Sequence, residues 1–427
     1  MLASATHPAT RGLGQVLMRR CRMMHSLVDH PMRQQVAGLA HQRPFDRTQI
    51  PSIVSSITTT HKEPEMVDGV QCPLTTSNPG AADDAGYAHL KKLCEHFLVS
   101  PPPPTSSFFS ADLAGTCQVR WERHTEVQTY TFIRAATAED MASPFEPGSV
   151  PLNVIPAWWT ASMPGSVVAS THVALLDQKS VISVVAEQER FDWIANQFGR
   201  SGMITAATVD CERFRVYSDW RTHADGFGRV LILSRMDDTA SNKRSSAGKV
   251  LQRLIELEKY RVLALMGLPF ANNLVPRIDA LNGRLQEVMT IVGQAGQLEV
   301  AVQRQVLDEL SALTAAALKL GASSHFRFSA SNAYSQIVDD RIRFLEMQPI
   351  EGLPSMATFI QGTSHPALRT CQAVVRRLEA LSRSSQLAAD LLRTSLTVQQ
   401  QADSTKQLSQ IENTARSQLL LQESVEG

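Results

Sequence analysis

Lys249–Pro269, KVLQRLIELEKYRVLALMGLP, divides a chain whose earlier part is patterned like a sheet from a later part patterned like helices. Val250, Leu254, Leu257, Arg261 and Leu265 fall three or four residues apart, as one face of a helix requires. Leu251, Ile255, Leu263 and Leu268 widen that stripe, so the helix is expected to be buried on most sides. Glu256 and Glu258 precede Lys259 and Arg261, an order that suits the helix dipole, and Pro269 supplies a stop. The expected role is structural: this helix closes the core of the first half and launches the second. It carries no catalytic motif.

Working back from it, two β-rich stretches read as antiparallel hairpins. CQVRWE and EVQTYTFIR flank Arg123-His124-Thr125, and RFRVYSDW and GRVLILS flank the polar run from Arg221 to Gly226. Each is preceded by a strand and a helix: Ile53 to Thr60 with Asp83 to Leu98, then Val167 to Leu176 with Glu187 to Phe198. A strand–helix–hairpin unit written twice accounts for this order, and a duplicated unit is the inference. Lys62 to Gly80, with three prolines, reads as a loop, and Pro101 to Pro104 as a stiff spacer. Met1 to His25 carries four arginines and no acidic residue, as an organellar presequence or a disordered tail would.

Working forward, Ile278, Leu281, Leu285, Val288 and Val292 alternate spacings of three and four, and Val302, Val306, Leu310, Leu313 and Leu320 resume the pattern after a break near Gly293 and Gly296. A second helix is expected from about Asn332 to Met347, a loop from Ile350 to Pro366, and a long polar helix from Ala367 onward. The fold class is therefore α+β: a mixed α/β head followed by a helical, coiled-coil-like stalk. The expected domains are a targeting-like or disordered segment (1–28), the head (29–235) and the stalk (247–427).

Composition bounds the function. A chain of 427 residues with 43% apolar and 19% charged residues can bury a substantial core. Its 41 basic residues cancel its 41 acidic ones, so no global field selects nucleic acid, and no nucleic-acid partner is expected. Six scattered cysteines without ligand spacing argue against a disulfide framework or zinc site and for a reducing compartment. No apolar run is long enough to span a bilayer. Walker, dinucleotide, HExxH and nucleophile-elbow motifs are absent, so no catalytic residue, metal or cofactor is assigned.

The ligand-binding candidates are His41, Arg43, Arg123, His124, Glu126, Arg221, His223 and Asp225, with Arg120, Glu122 and Arg229 beside them. Histidine–carboxylate pairs can bind a metal or move a proton, and neighbouring arginines can hold an anion. If the hairpins are equivalent halves of a duplicated fold, their polar middles converge on one cleft. The competing and favoured reading is two separate ion-pair networks that fix hairpin geometry, with Asp225-Gly226 making a turn.

DHPMRQQVAGLAHQRP, RWERHTEVQTYTF with WRTHADGFGR, RLIELEKYRVLALMGLP, LLRT and the terminal LLLQESVEG together resemble a bacterial family of uncharacterised membrane-anchored proteins, domain of unknown function 3422, from about Asp29 to Gly427. The resemblance implies membrane association through a pair of hydrophobic helices beyond Val-Glu-Gly, a segment not contained in this sequence. It implies a mitochondrial setting if the source is eukaryotic. Three function classes follow: a non-enzymatic binding or scaffold module, the soluble part of an ion-transport protein laid out like two-helix magnesium channels, and an enzyme built on the His124 and His223 hairpins. Self-association through the stalk is the expected homotypic contact.

Overall fold

The computed structural model describes residues 48–60, 65–67, 70–72, 79–184, 190–200, 202–235, 243–294 and 299–426. All of them lie in the unit Phe45–Gly427; the other unit, Met1–Pro44, is outside the described residues, and with it the presequence-like segment, His41 and Arg43.

The strands are β1 (Ser52–Thr60), β2 (Glu65–Val67), β3 (Val70–Cys72), β4 (Phe108–Leu113), β5 (Cys117–Arg123), β6 (Val127–Ala135), β7 (Val167–Asp177), β8 (Thr205–Val209), β9 (Phe214–Ser218) and β10 (Gly228–Ser234). The helices are α1 (Pro79–His96), α2 (Ala138–Ala142), α3 (Ala157–Ala161), α4 (Gln178–Val184), α5 (Arg190–Gln197), α6 (Lys243–Leu265), α7 (Gly267–Val292), α8 (Val300–Phe344) and α9 (Met356–Glu426). An α+β head followed by long helices is thus what the chain forms.

Eight strands make one mixed sheet in the order β4-β5-β6-β1-β7-β10-β9-β8. Both expected hairpins form, β5 with β6 and β9 with β10, each antiparallel. The duplication holds only in part. Each half places its first strand innermost and its hairpin outside it, but β6 runs antiparallel to β1 whereas β10 runs parallel to β7. A two-fold repeat would preserve polarity. The parallel β7–β10 pair instead needs a crossover, which the helices α4 and α5 and the edge strand β8 supply.

Alternation sorts every strand between two faces. Val54, Val127, Val173, Leu175, Val216, Val230 and Ile232 face Val250, Leu251, Leu254 and Leu257 of α6, joined by Val338, Ile342, Met356 and Ile360 from the helices beyond. On the opposite face, Val119, Trp121, Tyr130 and Phe132 pack with Leu90 and Leu93 of α1 and Trp159 of α3. Beside them, Ile53, Ala174, Leu176 and Leu231 pack with Val181 of α4 and Ile194 of α5. The central strand β1 is buried along its whole length yet reads SIVSSITTT. Two of its hydroxyls are satisfied across the sheet, Ser56 by Thr131 at 3.3 Å and Thr58 by Thr129 at 3.1 Å, whereas Thr59 Oγ1 is buried without a hydrogen-bond partner among the described residues.

The helical half departs from expectation at its breaks. Pro269 does not stop α6, which ends at Leu265; it sits in the first turn of α7, where a missing N–H costs nothing. No new helix begins near Asn332, because α8 runs unbroken through the serine-rich stretch, where Ser323 donates to the Leu320 carbonyl and Ser324 to that of Gly321. Nor is the region before Pro366 all loop: α9 starts at Met356 and carries Pro366 inside it. Burial of Met356 and Ile360 against the sheet core holds that first stretch helical despite the proline.

Gln303 meets Gln399 while Asp339 meets Gln361, so α8 and α9 run antiparallel, and the pairs Phe270 with Phe328 and Arg284 with Glu309 set α7 against α8 in the same sense. The connector between α8 and α9 pairs with edge strand β8 through Thr208–Gln348 and Ala206–Pro354, which covers an otherwise open edge. No helix among the described residues is long and apolar enough to cross a membrane.

Candidate functional site

The β5–β6 hairpin aims its even-numbered β5 residues at α6. Arg120 and Glu122 therefore lie on that face, and His124 follows in the turn. Arg120 donates through Nε and Nη2 to Oε1 of Glu122 at 3.0 and 2.7 Å. The other carboxylate oxygen lies 3.7 Å from Nζ of Lys259 and 3.5 Å from Nε2 of His124. Lys259 comes from α6, is 2% exposed, and places Nζ 3.1 Å from that same histidine nitrogen. Burial pushes the Glu122 carboxyl up, but its bond to His124 and the charges of Lys259 and Arg120 outweigh burial and hold it far below the ordinary carboxylate range. One α6 turn back, Glu256 accepts from Arg253 at 2.6 Å, Arg341 at 2.7 Å and Gln252 at 3.0 Å. Burial again opposes its ionisation, and the two arginines overcome it.

Between the two carboxylates lies a cavity of about 30 Å³, lined by Arg120, Glu122, Thr129, Thr131, Glu256 and Lys259 among others. That holds about one or two water molecules and no organic substrate. At the hairpin tip, Glu126 points to the helical arm instead, accepting from Tyr334 at 2.8 Å and pairing with Arg327 at 3.3 Å. Arg123 donates to the Pro104 carbonyl at 3.2 Å.

The β9–β10 loop is organised differently. His223 Nε2 lies 3.2 Å from Asp219 in its own loop, and Asp219 also accepts from the Arg221 backbone N–H at 3.2 Å. Asp225 accepts from the Phe227 N–H at 2.9 Å, closing a tight turn over Gly226, whose φ of +83° favours glycine. Its other oxygen lies 3.8 Å from Arg229 and 4.0 Å from His172 of β7. Phe227 stacks on His172 at 4.0 Å, and Ser55 of β1 bonds the remaining ring nitrogen at 2.9 Å. Burial lowers His172 to about 4, against the partial counter-pull of Asp225. Ser55, His172 and Asp225 share the residue types of a hydrolytic triad. However, the Ser55 side chain is fully buried in the middle strand, out of reach of any substrate.

The two hairpin ends therefore share one end of the sheet but not a cleft. The His124 cluster faces α6, the Asp225–His172 contact lies on the opposite face, and β6, β1 and β7 stand between β5 and β10. Arg123, His124 and Glu126 are brought close to each other, as are Arg221, His223 and Asp225, but the two groups are not brought together. Sequence reasoning misses Lys259, Ser55, His172, Arg327 and Tyr334. A lysine on an apolar helix face is the one signal for the first; the others need the tertiary fold. Among the described residues no three His, Cys, Asp or Glu side chains cluster as metal ligands, and Cys94, Cys117, Cys211 and Cys371 are free thiols.

An α+β head with a long helical arm, and an ion-pair cluster at their junction, defines the class of protein. Residues 28–427 match the family model described as protein of unknown function (DUF3422), and the chain belongs to that family. No curated protein and no solved structure matches the chain.

Proposed function

We propose that the chain is a non-enzymatic binding or scaffold module, a head clamped to a helical arm. The observation that carries this reading is the closed state of the cluster beneath α6: Glu122, Arg120, His124 and Lys259 satisfy one another, and the cavity that Glu122, Arg120 and Lys259 line measures only about 30 Å³. Groups engaged in this way hold elements together. They leave no room for a substrate beside the two carboxylates, or beside the histidine, that could act on it.

A thermal-shift screen of divalent metals, phosphate and nucleotides tests the reading. The expected result is a lowered melting point in His124→Ala and no ligand-dependent stabilisation that disappears in that variant. A ligand whose stabilisation is lost in both His124→Ala and His223→Ala, with both variants folded, overturns it. A membrane-proximal setting belongs to the same proposal and is supported by the family resemblance alone. Membrane fractionation of the product of the complete coding sequence checks it, and recovery in the soluble fraction alone counts against the setting.

A further inference from the structure

The helix α9 outruns its neighbours. Among the described residues its last cross-helix hydrogen bond is Gln399 to Gln303, near the start of α8, and every residue from 400 to 418 is exposed. At 1.5 Å per residue the stretch from there to Glu426 extends about 40 Å beyond the start of α8. A lone helix of that length is marginal in water and draws most of its stability from packing. It also carries large apolar side chains in the open: Val398, Leu408 and Ile411 are each more than 60% exposed.

The same chain has an unfilled groove of fitting shape. Between α8 and α9 two adjoining hollows of about 500 and 410 Å³ share His325, Val375 and Glu379. The α8 wall contains Ala317, Gly321 and Ala322, small residues that leave it shallow, and Leu318, 57% exposed, stands at its rim. Charge identifies what fits. If the α9 helices of two copies run antiparallel about a two-fold between Thr397 and Val398, Leu387 comes level with Leu408. Arg383 then comes level with Glu412, and Glu379 with Arg416. Arg383 and Glu379 line the groove, and all four charged residues are exposed. Both levels pair opposite charges, and the two-fold makes each twice.

We propose that a second copy of this chain occupies the groove, each copy laying the Leu408–Ile411 segment of its α9 into the α8–α9 groove of the other. The reciprocal exchange closes as a dimer and buries both exposed surfaces at once. It rests on the surface of α8 and α9 alone, so it stands or falls separately from the scaffold reading.

Sedimentation of the full chain, with matched charge reversals, provides the test. Wild type is expected to dimerise. Arg383→Glu and Glu412→Arg are each expected to weaken the dimer about tenfold or more, because two pairs turn repulsive, and the double variant is expected to recover. Circular dichroism checks that these exposed substitutions leave the fold intact. Disulfide trapping fixes direction: a mixture of Leu387→Cys and Leu408→Cys chains should give the mixed cross-link. Self-cross-linking of Leu408→Cys instead means a parallel pair and overturns the proposal. So does a double reversal that fails to recover. A wild-type chain that stays monomeric at the highest concentration reached leaves the groove to another partner, and likewise overturns it.

Discussion

Two hairpins of similar composition meet different fates at one end of the same sheet. Both offer histidine, arginine and acidic residues in a turn. The β5–β6 end becomes a junction between head and arm because α6 and α8 lie over it, supplying Lys259, Tyr334 and Arg327. At the β9–β10 end no helix among the described residues partners His223 or Asp225: His223 pairs with Asp219, Asp225 closes its own turn, and Phe227 stacks on His172 of the neighbouring strand β7. Identical residue types therefore do different work according to whether a helix arrives to use them, and the difference lies in packing that local sequence does not contain.

The strongest way to break that contrast is to remove the carboxylate at the centre of the junction. Glu122→Gln takes the counter-charge from Arg120 and Lys259, both buried, and is expected to cost about 3–5 kcal/mol of unfolding free energy by denaturant titration. A loss below about 1 kcal/mol would mean that the cluster is not what clamps β5 to α6. The sign with pH is fixed as well. A carboxyl held below its ordinary range adds stability above that range and loses it as pH falls through its folded value, so the acid limb of the stability curve should flatten in Glu122→Gln.

Next in size is the opposite face. His172 titrates near 4 when folded because burial disfavours its charged form, against 6.5 for a free histidine. The unfolded chain thus takes up a proton that the folded chain refuses. Stability falls as pH drops from 6.5 towards 4, by about 2–3 kcal/mol at pH 4.5 at 1.36 kcal/mol per unit. His89, also buried and near 4, adds a loss of the same sign. Unfolding titrations at pH 7 and 4.5 should show the His172 share vanish in His172→Gln, which keeps a polar group for Ser55. A pH difference unchanged by that substitution would place the histidine in water rather than between Ser55 and Phe227.

Much of this fold is legible in the sequence, and the limits are physical. Strands β1, β5, β6, β7, β9 and β10 announce themselves through β-branched and aromatic residues bounded by turns, and α6 through its apolar stripe. Helix ends depart from the sequence pattern where packing outweighs local chemistry: Pro366 sits inside α9 because Met356 and Ile360 are buried ahead of it, and the serines of α8 bond back to their own helix. The polarity of β10 is not readable, since alternation is the same in a parallel and an antiparallel strand. Nor are the partners of His124 and Glu126. Lys259, Arg327 and Tyr334 lie 135, 201 and 208 residues away in sequence, and only the tertiary fold brings them near.

The smallest expected effect is also the one that bears most directly on the two hairpins. His223→Ala removes one partner of Asp219, but Asp219 keeps the Arg221 N–H, and the vacated space opens towards solvent because the His223 side chain is already 14% exposed. Water can replace the lost bond, so the cost should be about 1 kcal/mol. The His124 side chain is no less exposed, at 16%, but His124→Ala removes a ring wedged between Glu122 of one element and Lys259 and Tyr260 of another, and should cost about 2–3 kcal/mol. The two substitutions lie on different elements with no shared partner among the contacts described, so their double variant should lose the sum to within about 0.5 kcal/mol. Coupling well beyond that, measured in the same denaturant titrations, would mean that the hairpin ends communicate after all. The division between an end clamped by helices and one held within the sheet would then have to be abandoned.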